Sequence, residues 1–171
     1  RAEDVDAMVA VSEFYARIMK VKMGLPSARV HTLHLGVDHE DYIFIPASQK
    51  PRNVGYISRM CYDNGFDIVV DAFIKLKENP IFDDVKLIAT GGYTGDDAKF
   101  VKEQVRKIKA NRLEDKFEIL TEFEDDAIHA FFEKVALVSV PVRIGEAFGM
   151  YLIESMVSGV PVVQPALGAF P

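Results

Sequence analysis

Two glutamates, Glu146 and Glu154, flank the start of a predicted helix and are separated by seven residues. Glu146 lies in a loop from Gly145 to Gly149 (Gly-Glu-Ala-Phe-Gly), and the helix is predicted over about residues 148–158. The first turn of a helix has backbone N–H groups without intrahelical acceptors and carries the positive end of the helix dipole, which suits a diphosphate. Carboxylates can accept hydrogen bonds from pairs of sugar hydroxyls. The pattern therefore predicts a site that holds a diphosphate between two groups rich in hydroxyls.

The predicted helix is apolar on nearly every side, which indicates that it is buried in the fold. A carboxylate in such a helix needs a hydrogen-bond partner or an opening onto a pocket, because burying it alone costs several kcal/mol. Glu154 is that carboxylate. The apolar residues around it are Met150, Leu152, Ile153, Met156 and Val157.

Two other loops follow predicted strands and carry residues suited to a ligand. Segment 58–65 contains Arg59, whose guanidinium can place two N–H donors on a phosphate. A surface ion pair between Arg59 and Asp63 is an equally good interpretation of this loop alone. Segment 91–95 contains Gly91 and Gly92, which let a backbone approach a ligand closely or simply make a turn. It lacks the glycine order of dinucleotide-binding and phosphate-binding loops.

The elements that position these loops are short apolar strands alternating with amphipathic helices, with a polar linker at 39–52. Because the strands are continuously apolar, the order predicts an α/β fold with a doubly wound, Rossmann-like parallel sheet. Such folds bind ligands at the carboxyl ends of their strands, where the three loops lie. The strands are predicted at Met8–Val11, Val30–Leu35, Asn53–Ser58, Val85–Ala89, Phe117–Leu120, Val135–Val140 and Val160–Val163, and the helices begin near Ser12, Asp63, Asp96, Asp125 and Phe148.

Composition excludes several classes of protein. The 171 residues are 49% hydrophobic, too many for a disordered chain, and the longest apolar run, around 135–142, is shorter than the roughly 20 residues of a membrane helix. A net charge of −6 argues against nucleic-acid binding. Cys61 is the single cysteine, which favours a reducing compartment such as the cytoplasm. No Cys/His cluster has the spacing of a zinc site, so no metal is expected.

The segments above resemble the retaining glycosyltransferases of family 4, which have the two-domain GT-B fold. The resemblance is carried by Glu146 and Glu154 in their Gly-Glu-Ala-Phe-Gly context and by Gly-Val-Pro-Val-Val at 159–163. Upstream, Gly-Val-Asp at 36–38 and the stretch 54–65 with its Ser-Arg and Asn-Gly are similar to the family pattern. The resemblance covers nearly the whole chain.

The resemblance implies an organisation in two parts and a role for each site residue. Residues 1–45 would be the tail of an acceptor-side domain with a linker, and 46–171 a donor-binding domain truncated at its C-terminus. Glu146 would be the catalytic residue that meets the donor sugar, and Glu154 would meet the ribose. The diphosphate would contact Arg59, Asn64 and the amides of Phe148, Gly149 and Met150, while Gly92 and 121–123 would lie near the base and sugar.

The resemblance also implies the ligands. The donor would be a nucleoside diphosphate sugar linked to UDP or GDP, acting as substrate with no further cofactor. The acceptor, a sugar or lipid-linked sugar, would bind through the missing domain, as in polysaccharide or glycolipid biosynthesis. We expect this fragment to bind the donor without transferring the sugar, and peripheral association of the full protein with a membrane stays open.

Two positions depart from the family pattern. Asn64 stands where the family usually has Lys before glycine, and an amide carries no charge to offset a developing diphosphate. Leu35 stands where Asn is usual, and nothing in the sequence gives it a role. Two alternatives therefore remain: a nucleotide-sugar epimerase of the same fold, or a module that binds a nucleotide without catalysis, which Asn64 favours.

Overall fold

The computed structural model describes residues 4–122 and 124–171, leaving aside the side chain of Asp125. Within this part, the longest helix has 13 residues, and none is long and apolar enough to cross a membrane. The elements in chain order are β1 (Met8–Ala10), α1 (Glu13–Met23), β2 (Val30–Thr32), β3 (Val54–Ile57), α2 (Phe66–Leu76), β4 (Leu87–Thr90), α3 (Ala98–Ala110), β5 (Phe117–Ile119), α4 (Asp125–Lys134), β6 (Leu137–Val138) and α5 (Met150–Val157).

The strands form two parallel sheets. In the smaller sheet β1 pairs with β2, and in the larger the strand order is β5-β4-β3-β6. Val54 of β3 lies opposite Leu87 on one side and Leu137 on the other, so β3 is central. This confirms the predicted α/β fold class. The smaller sheet lies within residues 1–45 and the larger within 46–171; a domain boundary at 45 stays a prediction.

Some elements are shorter than the sequence predicts. The strand predicted over Val30–Leu35 ends at Thr32, because its neighbour β1 ends at Ala10 and offers no further partner. The strand predicted over Val160–Val163 is reduced to one bridge between Val138 and Val162, beside the two-residue strand β6. Apolar runs thus predicted the places of strands, whereas the available partners decided their lengths.

Three helices begin later than predicted: α3, which begins at Ala98 rather than near Asp96, and two helices that follow a glycine. Helix α2 begins at Phe66 rather than near Asp63, and α5 begins at Met150 rather than near Phe148. In both, the residue before the helix is a glycine in the left-handed region, with φ +70° at Gly65 and +86° at Gly149. A left-handed residue cannot belong to a right-handed helix, so the glycine sets the first helical position.

The core lies between the larger sheet and the helices packed on it. The inward face of α2 is buried, as its helical spacing predicts, with Phe66 and Val70 fully buried. Helix α4 approaches the sheet closely at Gly55, where a Cβ would lie 2.7 Å from the ring of Phe131. Each large apolar side chain buried here contributes about 1.5–3 kcal/mol. The packed core therefore holds the strand ends, and the loops on them, in fixed positions.

The predicted linker crosses between the two sheets with only single 3₁₀ turns, at His39–Asp41 and Ala47–Gln49. Near its end lies Lys50, whose side chain is buried. The Lys50 ammonium donates to the carbonyls of Phe132 in α4 and Ser158 after α5, both at 2.7 Å. Burial lowers the pKa of Lys50, and the charge of Glu133 opposes that shift. The linker is therefore fastened to the ends of two helices of the larger sheet.

Candidate functional site

Three loops at the carboxyl edge of the larger sheet come together, as the parallel topology predicts. They are the β3–α2 loop (58–65), the β4–α3 loop (91–97) and the β6–α5 loop (139–149). The amide of Met60 donates to the carbonyl of Gly92 at 2.8 Å, which joins the first two loops. A Cβ on Gly65 would overlap the carbonyl oxygen of Pro141, so the first and third loops are in close contact.

Arg59 projects from the β3–α2 loop, and its side chain is 53% exposed. Its Nε lies 3.8 Å from the Oδ2 of Asp97 in the β4–α3 loop, so the ion-pair partner is Asp97 and not Asp63. Hydrogen bonds from Thr94, and the nearby Arg59 charge, lower the pKa of Asp97. The guanidinium is thus oriented by a carboxylate, while about half of the Arg59 side chain stays exposed.

The side chain of Asn64 forms hydrogen bonds within its own loop. Its side-chain amide donates to the Ser58 hydroxyl at 2.9 Å and to the carbonyl of Arg59 at 3.2 Å. The Tyr56 hydroxyl donates to the same carbonyl at 2.9 Å. A carboxamide has two N–H donors, so both donors of Asn64 are used inside the loop. The predicted contact between Asn64 and a diphosphate stays a prediction, and it requires one of these bonds to break.

Gly92 lies where the predicted turn places it, with φ +66°. Its carbonyl is engaged by the amide of Met60, so the double-glycine turn is fastened to the β3–α2 loop. Its predicted contact with a base or sugar is untested. In the accompanying stretch 121–123, Thr121 and Glu122 are exposed, and Phe123 lies outside the described residues.

The N-terminus of α5 is open. Gly149 precedes the helix with no side-chain cap. Within the described part of the chain, the amides of Phe148, Gly149 and Met150 have no hydrogen-bond acceptor. An open helix end of this kind can bind an anion, and the predicted contact of these three amides with a diphosphate stays a prediction.

Glu146 is half-buried beside this helix end. Its Oε1 accepts a hydrogen bond from the amide of Ala147 at 2.9 Å, and its carbonyl accepts one from Ala169 at 3.0 Å. Burial and the Glu146 charge together raise the pKa of Tyr151. The carboxylate is therefore held close to α5 by its own loop and by the segment that contains Ala169.

Glu154 lies one turn inside α5, roughly 6 Å along the axis from Met150. Its Oε1 accepts a hydrogen bond from the Tyr42 hydroxyl at 3.4 Å, and the Tyr42 ring packs edge-on against His129. The prediction of a fully buried helix is wrong on one side, because Met156 is 64% exposed. No described element covers that face. Glu154 is half-buried and has the partner that its position requires.

The first segment of the chain also contacts the β6–α5 loop. The Ser12 hydroxyl caps α1 by accepting from the amide of Tyr15 at 3.1 Å, and it donates to the carbonyl of Ala147 at 2.6 Å. The rings of His34 and Phe148 lie edge to face, 6.1 Å apart. Residues that follow β1 and β2 therefore contact the loop that leads into α5.

Sequence reasoning missed Tyr42, Lys50 and a pair formed by Arg143 and Asp67. Tyr42 is separated from Glu154 by 112 positions and Arg143 from Asp67 by 76, so no local pattern links them. The usable signal was topological, because Arg143 and Asp67 both follow strands that end at the same edge. Among the described residues, no group of three or more His, Cys, Asp or Glu is arranged to hold a metal ion.

The chain matches the family model described as "Glycosyl transferases group 1" over residues 38–171. The lipopolysaccharide core biosynthesis mannosyltransferase LpsB of Rhizobium meliloti is 33% identical over 117 residues, 68% of this chain and 32% of that protein. The mannosylfructose-phosphate synthase of Agrobacterium fabrum is 25% identical over 173 residues, 92% of this chain and 37% of that protein. The chain thus spans about a third of the length of these curated relatives.

Solved structures share the fold. Anabaena Alr3699/HepE in complex with UDP and glucose has a TM-score of 0.82 at 23% identity, covering 96% of this chain and 45% of that one. The C-terminal domain of LpcC from Francisella tularensis has a TM-score of 0.68 at 23% identity, covering 80% of this chain and 73% of that one. At these identities the likeness shows the fold alone, whereas the family model covers most of the sequence. The chain belongs to the family of group 1 glycosyl transferases.

Proposed function

We propose that this chain binds a nucleoside diphosphate sugar and that the whole protein transfers the sugar to an acceptor with retention at the anomeric carbon. The observation that carries the proposal is the open N-terminus of α5, with Glu146 on the loop before it and Glu154 one turn inside it. The family assignment is the reason for preferring transfer to epimerisation of a nucleotide sugar.

Each group at the edge has a role in this reaction. The amides of Phe148 to Met150 and the guanidinium of Arg59 would hold the diphosphate and stabilise its negative charge as the bond to the sugar breaks, which is the electrostatic part of catalysis. Glu154 would accept hydrogen bonds from the ribose hydroxyls. Glu146 would meet the donor sugar. We propose no cofactor beyond the sugar nucleotide, which is itself the substrate.

Proteins with the same fold support a sugar nucleotide as donor. Anabaena Alr3699/HepE has been solved with UDP and with UDP-glucose, and LpsB is named as a mannosyltransferase. We therefore place UDP- and GDP-linked hexoses first among the donors. The acceptor, a sugar or a lipid-linked sugar, would be bound outside the three loops.

The thermal stability of the chain with UDP, GDP, ADP and CMP at millimolar concentration tests donor binding. A ligand at about 100 times its dissociation constant stabilises the fold by roughly 2.7 kcal/mol, a shift that is easily measured. We expect one diphosphate to raise the melting temperature and Glu154→Ala to abolish that rise. Glu103→Ala, an exposed glutamate on α3, is the matched control and should keep it. No shift with any nucleotide, or a shift that survives in Glu154→Ala, would count against the proposal.

The two glutamates should differ in a predictable way. Glu154→Ala should weaken binding of the free nucleoside diphosphate more than Glu146→Ala does, because the ribose is present in every ligand and the sugar is not. Titration calorimetry with UDP and GDP measures both losses. Equal losses for the free nucleotide would refute the assignment of Glu154 to the ribose.

A module that binds the nucleotide without transferring sugar is the second candidate. It is favoured by Asn64, whose two donors are used inside its own loop and which brings no positive charge to the diphosphate. Asn64→Lys in the intact protein separates the candidates. Transfer from a labelled sugar nucleotide should rise if the site is merely impaired. Unchanged inactivity with nucleotide still bound would favour the module.

A further inference from the structure

Arg143 and Asp67 form a forked ion pair that joins two of the three loops. Nη1 and Nη2 of Arg143 donate to Oδ1 and Oδ2 of Asp67, both at 2.8 Å, and the side chains are 26% and 18% exposed. One of these nitrogens also donates to the carbonyl of Tyr62. The guanidinium carbon lies 3.7 Å from the centroid of the Tyr62 ring. The flat face of the Arg143 guanidinium therefore packs on the Tyr62 ring, and its edge is hydrogen-bonded to Asp67.

The pair connects segments that come from different strands. Arg143 precedes Glu146 by three residues in the β6–α5 loop, and its own amide donates to the carbonyl of Asp63 at 2.8 Å. Asp67 lies in the first turn of α2, directly after the β3–α2 loop that carries Arg59. A carboxylate in the first turn is favoured by the helix dipole. Although burial opposes the shift, the hydrogen bonds and charge of Arg143 lower the pKa of Asp67, so the pair is ionised at neutral pH.

We propose that Arg143 is a positioning residue for donor binding, which clamps the loop of Glu146 onto the loop of Arg59. This inference rests on the proposed function, since it assumes that one diphosphate sugar contacts both loops. Fixing their separation before the ligand arrives removes an ordering cost that binding would otherwise carry. Arg143 is not a contact for the ligand, because its guanidinium is committed to Asp67 and Tyr62.

The alternative is that this ion pair stabilises the fold and has no role in binding the donor. The chain contains a matched pair for comparison: Lys107 donates to Asp71 of the same helix α2 at 2.8 and 3.1 Å. That pair joins α2 to α3, is more exposed, and touches none of the three loops. A lysine at position 143 keeps the charge but cannot form the fork or lie flat on the Tyr62 ring, so Arg143→Lys removes the geometry selectively.

The first test is amide hydrogen exchange of the chain without ligand. In Arg143→Lys and in Asp67→Asn, the amides of 58–65 and 139–149 should exchange faster together, whereas Lys107→Gln and Asp71→Asn should leave both loops unchanged. The double variant Arg143→Lys/Asp67→Asn should lose no more amide protection in these loops than either single variant, because the two side chains act as one unit. Loops that exchange as in the wild type would overturn the clamp.

The second test compares a diphosphate with a monophosphate by calorimetry, using UDP and UMP, then GDP and GMP. Arg143→Lys should weaken diphosphate binding by about tenfold, which corresponds to about 1.4 kcal/mol of ordering cost that binding would then carry, and the monophosphate by less. A purely structural pair would weaken both equally, with a lower melting temperature, and that result overturns the positioning role. If the wild type binds no nucleotide, the proposed function fails, while the exchange experiment still decides whether the pair couples the loops.

Discussion

Lys50→Met removes the buried ammonium that fastens the linker to two helix ends. The group donates to the carbonyls of Phe132 and Ser158 at 2.7 Å, and Lys50 is only 6% exposed. Carbonyls at helix C-termini have no intrahelical donor, so a cation there can donate to them and complement the helix dipole. The Ser158 carbonyl also accepts a longer hydrogen bond from the amide of Ile45, at 3.4 Å. Methionine fills a similar volume but donates no hydrogen bond.

The loss can be estimated from these two bonds. A hydrogen bond to a charged group contributes about 1.5–3 kcal/mol, so two contribute roughly 3–6 kcal/mol. Part of this is offset because the variant no longer buries an ammonium group, a burial that also lowers the pKa of Lys50. We therefore expect the free energy of unfolding to fall by about 3 kcal/mol, which for a chain of this size lowers the melting temperature by roughly 6–12 °C.

Urea denaturation followed by circular dichroism measures the change. Lys102→Met, an exposed lysine on α3, is the control and should change the free energy of unfolding by less than about 0.5 kcal/mol. A loss below about 1 kcal/mol in Lys50→Met, within the range of one ordinary hydrogen bond, would refute the reasoning that this cation stabilises the two helix ends.

Three further perturbations test separate features. Arg112, which follows α3, has φ +59°, a left-handed conformation that strains a residue with a Cβ. Arg112→Gly should therefore raise the free energy of unfolding, measured by urea denaturation, by about 0.5–1 kcal/mol. An unchanged free energy of unfolding would contradict the strain at this position. In Gly168→Ala the new Cβ would lie 2.5 Å from the backbone N and O of Glu146, so the backbone of Glu146 must shift. Calorimetry should therefore show that the variant loses more affinity for UDP-glucose than for UDP. Equal losses of affinity for the two ligands would contradict a contact between Glu146 and the sugar. The lowered pKa of Asp67 means that its ion pair contributes stability above the ordinary carboxyl pKa of about 3.9, which is lost as pH falls through the lower folded-state value. Asp67→Asn should therefore lose less stability than the wild type on acidification, and parallel pH curves would argue against the pair.

The sequence determined the fold class and the region of the site through local patterns. Apolar runs and helical spacing predicted the strands and helices, because the order of apolar and polar side chains determines which face of an element is buried. Parallel strands end at the same edge, so the loops with Arg59, Gly92 and Glu146 were expected to meet. The helix of the site was predicted from the glycine-bearing loop and the apolar run beyond it, although it begins at Met150, two residues later than predicted.

The tertiary structure decided which side chains pair and what each donor is free to do. Asn64 was predicted as a ligand contact, yet both of its donors are used within its own loop. Glu154 needed a partner, and only the path of the linker brought Tyr42 to it. The fork between Arg143 and Asp67 follows from the packing of β3 beside β6. Such contacts join residues far apart in the chain, and no periodicity encodes them, because each depends on how whole elements pack.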